Sequence, residues 1–135
     1  MLTSAAPLHH YLYVSRLAPE ADSDAVTRIL DVSRRRNREL GITGVLVFDG
    51  EYFAQLLEGV ADTVRALVAR IAADVRHTGF TTLHDAPIPG LPQRLCTFWG
   101  AGFAQPEQLR PLQGLSGEVA VATFLSLITH FDLSS

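Results

Sequence analysis

The sequence contains no lysine, because all 11 of its basic residues are arginine. This excludes Schiff-base chemistry and the lysine of a phosphate-binding loop. The single cysteine, Cys96, excludes an intrachain disulfide bond and a cysteine-rich zinc site. No apolar run approaches the roughly 20 residues that a membrane-spanning helix needs. Residues 1–7 carry neither the positive charge nor the apolar segment of a secretory signal, so we expect a soluble, cytoplasmic protein.

Charge is also scarce. Only 19% of the 135 residues are charged, and the formal net charge is -3 at pH 7. This balance disfavours a strongly basic nucleic-acid-binding surface, so we expect neither nucleic acid nor membrane as a partner. The chain is long enough for one hydrophobic core and too short for two, which predicts a single domain.

The common catalytic and metal-binding motifs are missing. The sequence has no G-x-S-x-G, no H-E-x-x-H, no Walker loop and no G-x-G-x-x-G. The histidines lack ligand spacing, and the adjacent His9 and His10 would point to opposite faces of a strand. Gly100 and Gly102 match a dinucleotide motif only in part, and backbone bending is the better interpretation. Nothing in these patterns indicates a particular reaction.

Hydrophobic periodicity predicts an alternation of strands and helices. Residues of alternating character predict a strand over His10–Ser15, and a 3.6-residue period predicts a helix near 24–40 with Asp22 or Ser23 as its N-cap. The elements predicted next are a strand over Ile42–Phe48, a turn at Asp49-Gly50, a strand over Tyr52–Leu57, a helix near 61–74, and strands over Phe80–His84 and Arg94–Phe103.

The resulting order, β-α-β-β-α-β-β, is typical of an α+β, ferredoxin-like split βαβ sheet with two helices on one face. The opposite face then needs a cover. An apolar stripe over Val121–Ile128 predicts a C-terminal helix there, and a shorter helix is expected near Pro106–Leu112. We therefore expect a core over residues 1–103 and a C-terminal helical cap of the same domain over 104–135.

Three polar residues stand where apolar or helix-forming residues would be expected. Gln55 interrupts an apolar strand, and a buried amide costs about 1–3 kcal/mol unless it is hydrogen-bonded. The Tyr13 hydroxyl also needs a partner if its strand is central. Asn37, a poor helix former, lies within a run of arginines that could simply complement the helix dipole. If the two strands are adjacent, these side chains form a pocket for a flat ligand with polar edges.

Four segments carry a resemblance to a known family. They are Tyr11–Ser15 (YLYVS), Ser33–Gly44 (SRRRNRELGITG), Phe53–Gly59 (FAQLLEG) and Asp74–His77 (DVRH). In their order and spacing the chain resembles the BLUF family, blue-light sensors that use flavin adenine dinucleotide (FAD). The resemblance extends from about His10 to Phe103.

The resemblance implies a short, stand-alone photoreceptor that binds FAD non-covalently and is not an enzyme. Tyr13 is the implied electron and proton donor to the excited flavin, Gln55 is the amide that rearranges, and Trp99 is their photoactive neighbour. The implied cofactor-binding residues are Tyr13, Ser15, Ser33, Arg36, Asn37, Gln55, Arg76 and His77. Output would pass through protein–protein contacts, in a homo-oligomer or to a downstream partner.

The last strand departs from the family pattern R-x-F-x-x-W-x-M. Cys96 stands at the phenylalanine position and Ala101 at the methionine position. Because methionine is a flexible packing partner, we expect the photochemistry to survive with an altered lifetime or coupling of the lit state.

Alternative functions remain open at this stage. One is a flavin-binding or interaction module that does not respond to light. Another is an acylphosphatase-like hydrolase using Arg36 or Arg76 with Asn37, although no glycine-rich phosphate cradle precedes a helix. RNA binding through Arg34 to Arg38 conflicts with the acidic balance and lacks paired aromatics on a strand.

Overall fold

A computed structural model describes residues 8–88 and 98–134 of the chain. The helices and strands are β1 Leu8–Leu17, α1 Ser23–Glu39, β2 Thr43–Phe48, β3 Tyr52–Val60, α2 Ala61–Ala72, β4 His77–Pro87, β5 Trp99–Phe103, α3 Gly117–Leu127 and β6 Asp132–Ser134. The predicted α+β order is confirmed, with β6 added at its end. The expectations for Cys96 and for the first part of the last strand fall outside the described residues.

The strands form one sheet in the order β4-β1-β3-β2-β5-β6. All neighbours are antiparallel except β2 and β5, which run parallel. β1 lies between β4 and β3, so it is an interior strand as its apolar and aromatic content predicted.

Local signals in the sequence set the ends of the first elements. The Asp22 side chain accepts a hydrogen bond from the Ala25 backbone N–H at 2.9 Å, which caps α1. Gly41 follows the helix with φ +69°, a conformation that glycine adopts without steric cost. Between β2 and β3, the Asp49 carboxylate accepts from the backbone N–H groups of Glu51 and Tyr52. These turns confirm the predicted helix start and hairpin.

The two faces of the sheet have different covers. On one side, called the cleft face here, Tyr13 and Leu57 of the sheet share a core with Leu30 of α1 and Leu67 of α2. On the other side, the cap face, sheet residues such as Leu56 pack against Phe124 and its neighbours on α3. Because side chains alternate along a strand, one face can accept a ligand while the other forms a sealed core.

Several boundaries differ from the sequence expectation. β4 spans 77–87 and is therefore longer at both ends than the predicted strand Phe80–His84. It is longer because it pairs with β1 along almost the whole length of β1. The expected short helix near Pro106–Leu112 is only a 3-10 turn at Arg110–Leu112. The helices expected at 24–40 and 61–74 end slightly earlier, at Glu39 and Ala72.

The strand β6 was not predicted, and it changes the interpretation of Gly102. A Cβ atom at Gly102 would lie 1.9 Å from the Asp132 carbonyl oxygen, so close backbone approach, not bending, requires glycine here. Arg34 of α1 also donates to the Ala101 carbonyl at 3.0 Å and to Ser134 Oγ at 2.8 Å. Arg34 thus links α1 to β5 and β6 by hydrogen bonds.

No helix in the described ranges is long and apolar enough to cross a membrane.

Candidate functional site

Tyr13 and Gln55 lie directly opposite each other on β1 and β3. The Tyr13 hydroxyl donates a hydrogen bond to Gln55 Oε1 at 2.6 Å. Both side chains are buried, with 3% and 1% of their surface exposed. The register of β1 and β3 thus places Tyr13 and Gln55 side by side on one face of the sheet, as predicted.

The surroundings keep the Tyr13 phenol protonated. Burial raises the pKa of Tyr13 above its ordinary value, and the positive charge of Arg36 only partly opposes this effect. Phe80 stacks on the Tyr13 ring with 4.6 Å between ring centroids, which adds apolar cover. Tyr13 is consequently a hydrogen-bond donor to Gln55 at neutral pH.

The Gln55 amide is only half satisfied. Its oxygen accepts from Tyr13, while its Nε2 group is buried with no hydrogen-bond partner in residues 8–88 and 98–134. A primary amide has both donor and acceptor ends, so a ligand edge with an acceptor would complete the arrangement.

A cleft between α1, α2 and the sheet has this buried pair in its lining. The space between its lining residues is about 530 Å³, a figure that includes space open to solvent. Six of the eight predicted cofactor-binding residues line it, namely Tyr13, Ser33, Arg36, Gln55, Arg76 and His77. The two helices that were expected to flank the ligand both contribute residues to this cleft.

Ser15 and Asn37, the other two predicted residues, do not line the cleft. Ser15 Oγ is hydrogen-bonded to His77 Nδ1 at 2.8 Å, and His77 Nε2 donates to the Ile71 carbonyl at 2.6 Å. Because both ring nitrogens are engaged, the His77 ring is held at the cleft wall. Ser15 thus positions a lining residue instead of lining the cleft itself.

Asn37 and Trp99 are buried next to the site. Asn37 is 0% exposed, and neither end of its amide has a partner in the described part of the chain. Trp99 packs in the core that contains Tyr13, and its indole N–H is likewise buried and unpartnered among the described residues. The orientation of Trp99 is therefore inward, on the cleft face, although it does not form the cleft wall.

Positive charge dominates the lining of the cleft. Arg36, Arg70 and Arg76 line it with one carboxylate, Asp74, to which Arg76 donates at 2.6 Å. This hydrogen bond lowers the pKa of Asp74. Burial lowers the pKa of Arg36, and the nearby charge of Arg70 adds to the effect. Arg70 was not predicted as a site residue, because an arginine in the last turn of a helix is equally expected from the helix dipole.

This geometry defines an α+β ligand-binding domain whose site contains a buried phenol–amide pair. A family model described as "BLUF: Sensors of blue-light using FAD" matches residues 8–100. The chain belongs to the BLUF family, and its cofactor is accordingly FAD.

Curated relatives are much longer than this chain. The photoactivated adenylate cyclase subunit beta of Euglena gracilis is 35% identical over 122 residues, which are 87% of this chain and 14% of that protein. Its counterpart in Euglena longa is 32% identical over 131 residues, 95% of this chain and 15% of that protein. The chain thus spans about 15% of the length of these relatives.

Solved structures show the same fold. BlrB, a BLUF protein in its dark state, is 30% identical with a TM-score of 0.73, covering 91% of this chain and 96% of that chain. A bacterial light-regulated adenylyl cyclase is 26% identical with a TM-score of 0.64, covering 90% of this chain and 34% of that chain.

The residues present fit a flavin. An isoalloxazine ring is flat, with acceptors and a donor along one edge. The buried amides of Gln55 on β3 and Asn37 on α1 offer groups that have no partner among the described residues. Native proteins keep few such groups, so their concentration beside one cleft indicates a ligand with complementary polar edges.

Proposed function

We propose that the Tyr13–Gln55 pair is the light-responsive element of this blue-light sensor. The observation that carries the proposal is the 2.6 Å hydrogen bond from a buried phenol to an amide whose other end has no partner in the described residues. Bound FAD supplies the absorption of blue light and, when excited, a strong one-electron oxidant beside the phenol.

The resting orientation of Gln55 follows from the protonation of Tyr13. Because the Tyr13 phenol keeps its proton, it can donate a hydrogen bond, and it donates to the amide oxygen of Gln55. Nε2 then faces away from the phenol and is available to an acceptor on the cofactor. Exchanging the two ends of the amide, by rotation or tautomerisation, changes the hydrogen bonds offered to the cofactor without any covalent bond to the protein.

The other residues hold and enclose the cofactor in this proposal. Ser33, Arg36, Arg76 and His77 line the cleft and bind it there, and Ser15 keeps His77 in place. We propose that Asn37 supplies its buried amide to the polar ring edge. Trp99 lies within the core under the pair and transmits its change to β5.

The cap region is proposed to belong to the same domain. Ala120, Val121 and Phe124 of α3 are buried in one cluster with sheet residues, which supports the predicted division into a core over 1–103 and a cap over 104–135. Removing α3 would expose this apolar face to water.

The output of the sensor is proposed to be a change in protein–protein contacts. Relatives named as photoactivated adenylate cyclases join a similar segment to a much longer protein. For this chain the recipient would be a downstream protein or a second copy of the chain. Such an output needs a population shift between two states and no turnover of a substrate by this chain.

The test is a blue-light absorption experiment on the purified, flavin-loaded protein. We expect the flavin band to move to longer wavelength on illumination and to return in the dark. Tyr13→Phe should keep flavin bound but lose this response, because the ring still packs while its hydroxyl is gone. Tyr11→Phe is the matched control, since Tyr11 is buried on the same face of β1 with its hydroxyl bonded to Thr82.

Two results would contradict the proposal. A normal light response in Tyr13→Phe would exclude the assigned role of Tyr13. A native protein that binds flavin without any shift would be the light-insensitive module considered above.

A further inference from the structure

Three guanidinium groups line the cleft from different positions in the chain. Arg36 lies in the last turn of α1, Arg70 lies in the last turn of α2, and Arg76 follows α2. Asp74 is the one carboxylate among the lining residues of the described chain. Three cations therefore face one anion in a protein whose formal net charge is -3.

The Asp74 carboxylate is already hydrogen-bonded to Arg76. Arg76 donates to Asp74 through Nε at 3.0 Å and through Nη2 at 2.6 Å, a two-point contact. Arg36 and Arg70 form no ion pair with any residue in 8–88 or 98–134. Two positive charges thus lie at the cleft without a bonded counter-charge from the described protein.

Solvation and the helix dipole do not account for Arg36. A guanidinium that only complements a helix C-terminus would be hydrated, whereas Arg36 Nε is buried and has no partner in the described ranges. Burial is the main cause of the lowered pKa of Arg36, and the positive charges of Arg70 and Arg76 further disfavour its charged form. A negatively charged group between these side chains would relieve this repulsion.

The cleft also has a graded depth. Tyr13 and Gln55 form a neutral, buried inner wall, while Arg36 is half-buried and Arg70 is exposed. A ring bound against the inner wall would leave its substituent near the arginines. Arginine suits a phosphate there, because its planar donor fork matches two phosphate oxygens.

We propose that Arg36 and Arg70 form an anion subsite for the phosphate groups of a flavin nucleotide. This chain would accordingly retain FAD and flavin mononucleotide (FMN) in preference to riboflavin. The inference rests on the proposed flavin cleft and adds an electrostatic selection among flavins that share the same ring.

The test is equilibrium binding of riboflavin, FMN and FAD to flavin-free protein at low and at high salt. Quenching of flavin fluorescence measures the binding. We expect riboflavin to bind more weakly than either nucleotide by more than about tenfold, since one strong charge-assisted contact is worth about tenfold and the subsite has two arginines. Added salt should weaken the binding of FMN and FAD and leave riboflavin nearly unchanged.

Arg70→Gln should reduce the affinity for FMN and FAD about tenfold without changing that for riboflavin. Arg70→Lys should restore part of the loss, because the charge returns without the planar fork. Arg65→Gln is the matched control on the same helix, since Arg65 is exposed, does not line the cleft and lies 3.7 Å from Asp62. It should leave all three affinities unchanged.

The outcomes separate this inference from the function itself. Equal affinities for the three flavins, unchanged in Arg70→Gln, would overturn the anion subsite while the flavin cleft stands. An equal loss of riboflavin and nucleotide binding in Arg70→Gln would also overturn it, since the role of Arg70 would then be structural. Failure of the native protein to bind any of the three would overturn the proposed flavin cleft.

Discussion

The two sides of the sheet differ in how completely their buried polar groups are hydrogen-bonded. On the cleft face, atoms of Arg36, Asn37, Gln55 and Trp99 are buried without partners in the described residues. On the cap face, the buried side chains of His10 and Glu58 are hydrogen-bonded to each other. An unpartnered buried polar group costs about 1–3 kcal/mol, so these groups lower the free energy of unfolding of the flavin-free protein. They are available to hydrogen-bond a ligand. The cap face contributes to stability.

The largest expected effect tests the satisfied pair of the cap face. Glu58→Ala should destabilise the protein by about 3–5 kcal/mol, because it leaves His10 buried without this carboxylate and opens a cavity. Chemical denaturation of the flavin-free protein measures the change. A loss below about 1 kcal/mol would show that the pair is not a main source of stability.

Asn37→Ala sharpens the comparison with an equally buried residue on the other face. Its amide has no partner to lose in the described residues, so the stability of the flavin-free protein should change by less than about 1 kcal/mol. The affinity for flavin should instead fall about tenfold, the value of one lost hydrogen bond in a dry site. The same denaturation experiment and a flavin titration measure both quantities.

The opposite pattern, with stability lost and flavin affinity retained, would make Asn37 a structural residue. Ser126→Ala is a useful control, because Ser126 is exposed on α3 and should change neither quantity.

The smallest expected effect concerns pH at the rim of the cleft. The Arg76 hydrogen bond lowers the pKa of Asp74, so the contact stabilises the fold above the ordinary carboxyl pKa of about 4 and is lost as the pH falls through the lowered value. At neutral pH the native protein should therefore have a higher melting temperature than Asp74→Asn. This difference in melting temperature should disappear in acid.

Asp62→Asn provides the comparison, since the Asp62 carboxylate is exposed and lies 3.7 Å from Arg65. It should lower the melting temperature less than Asp74→Asn does. A gap that persists unchanged at pH 2 would exclude the ionised Asp74–Arg76 contact as its cause.

The sequence could predict the inner part of the site because the signals there were local and unambiguous. Strand alternation placed Tyr13 and Gln55 on one face, and a polar residue in an apolar strand marked the second of them. The pairing of β1 with β3 places Tyr13 opposite Gln55, and their side-chain oxygens are 2.6 Å apart.

Other features had no signal of that kind. β6 is three residues long, too short for a period, and Gly102 is explained only by the backbone that passes over it. Arg70 resembles any cation at a helix C-terminus until the cleft is known. Arg34 was grouped with the solvated run, although it bonds to Ala101 and Ser134.

The most direct test observes the Gln55 side-chain amide itself. In ¹⁵N-labelled, flavin-loaded protein, its NH₂ resonances are assigned by their absence in Gln55→Leu and recorded in the dark and under blue light. We expect them to shift on illumination and to return with the same rate as the flavin band. Resonances that stay fixed while the flavin band shifts and recovers would contradict the rearrangement of Gln55.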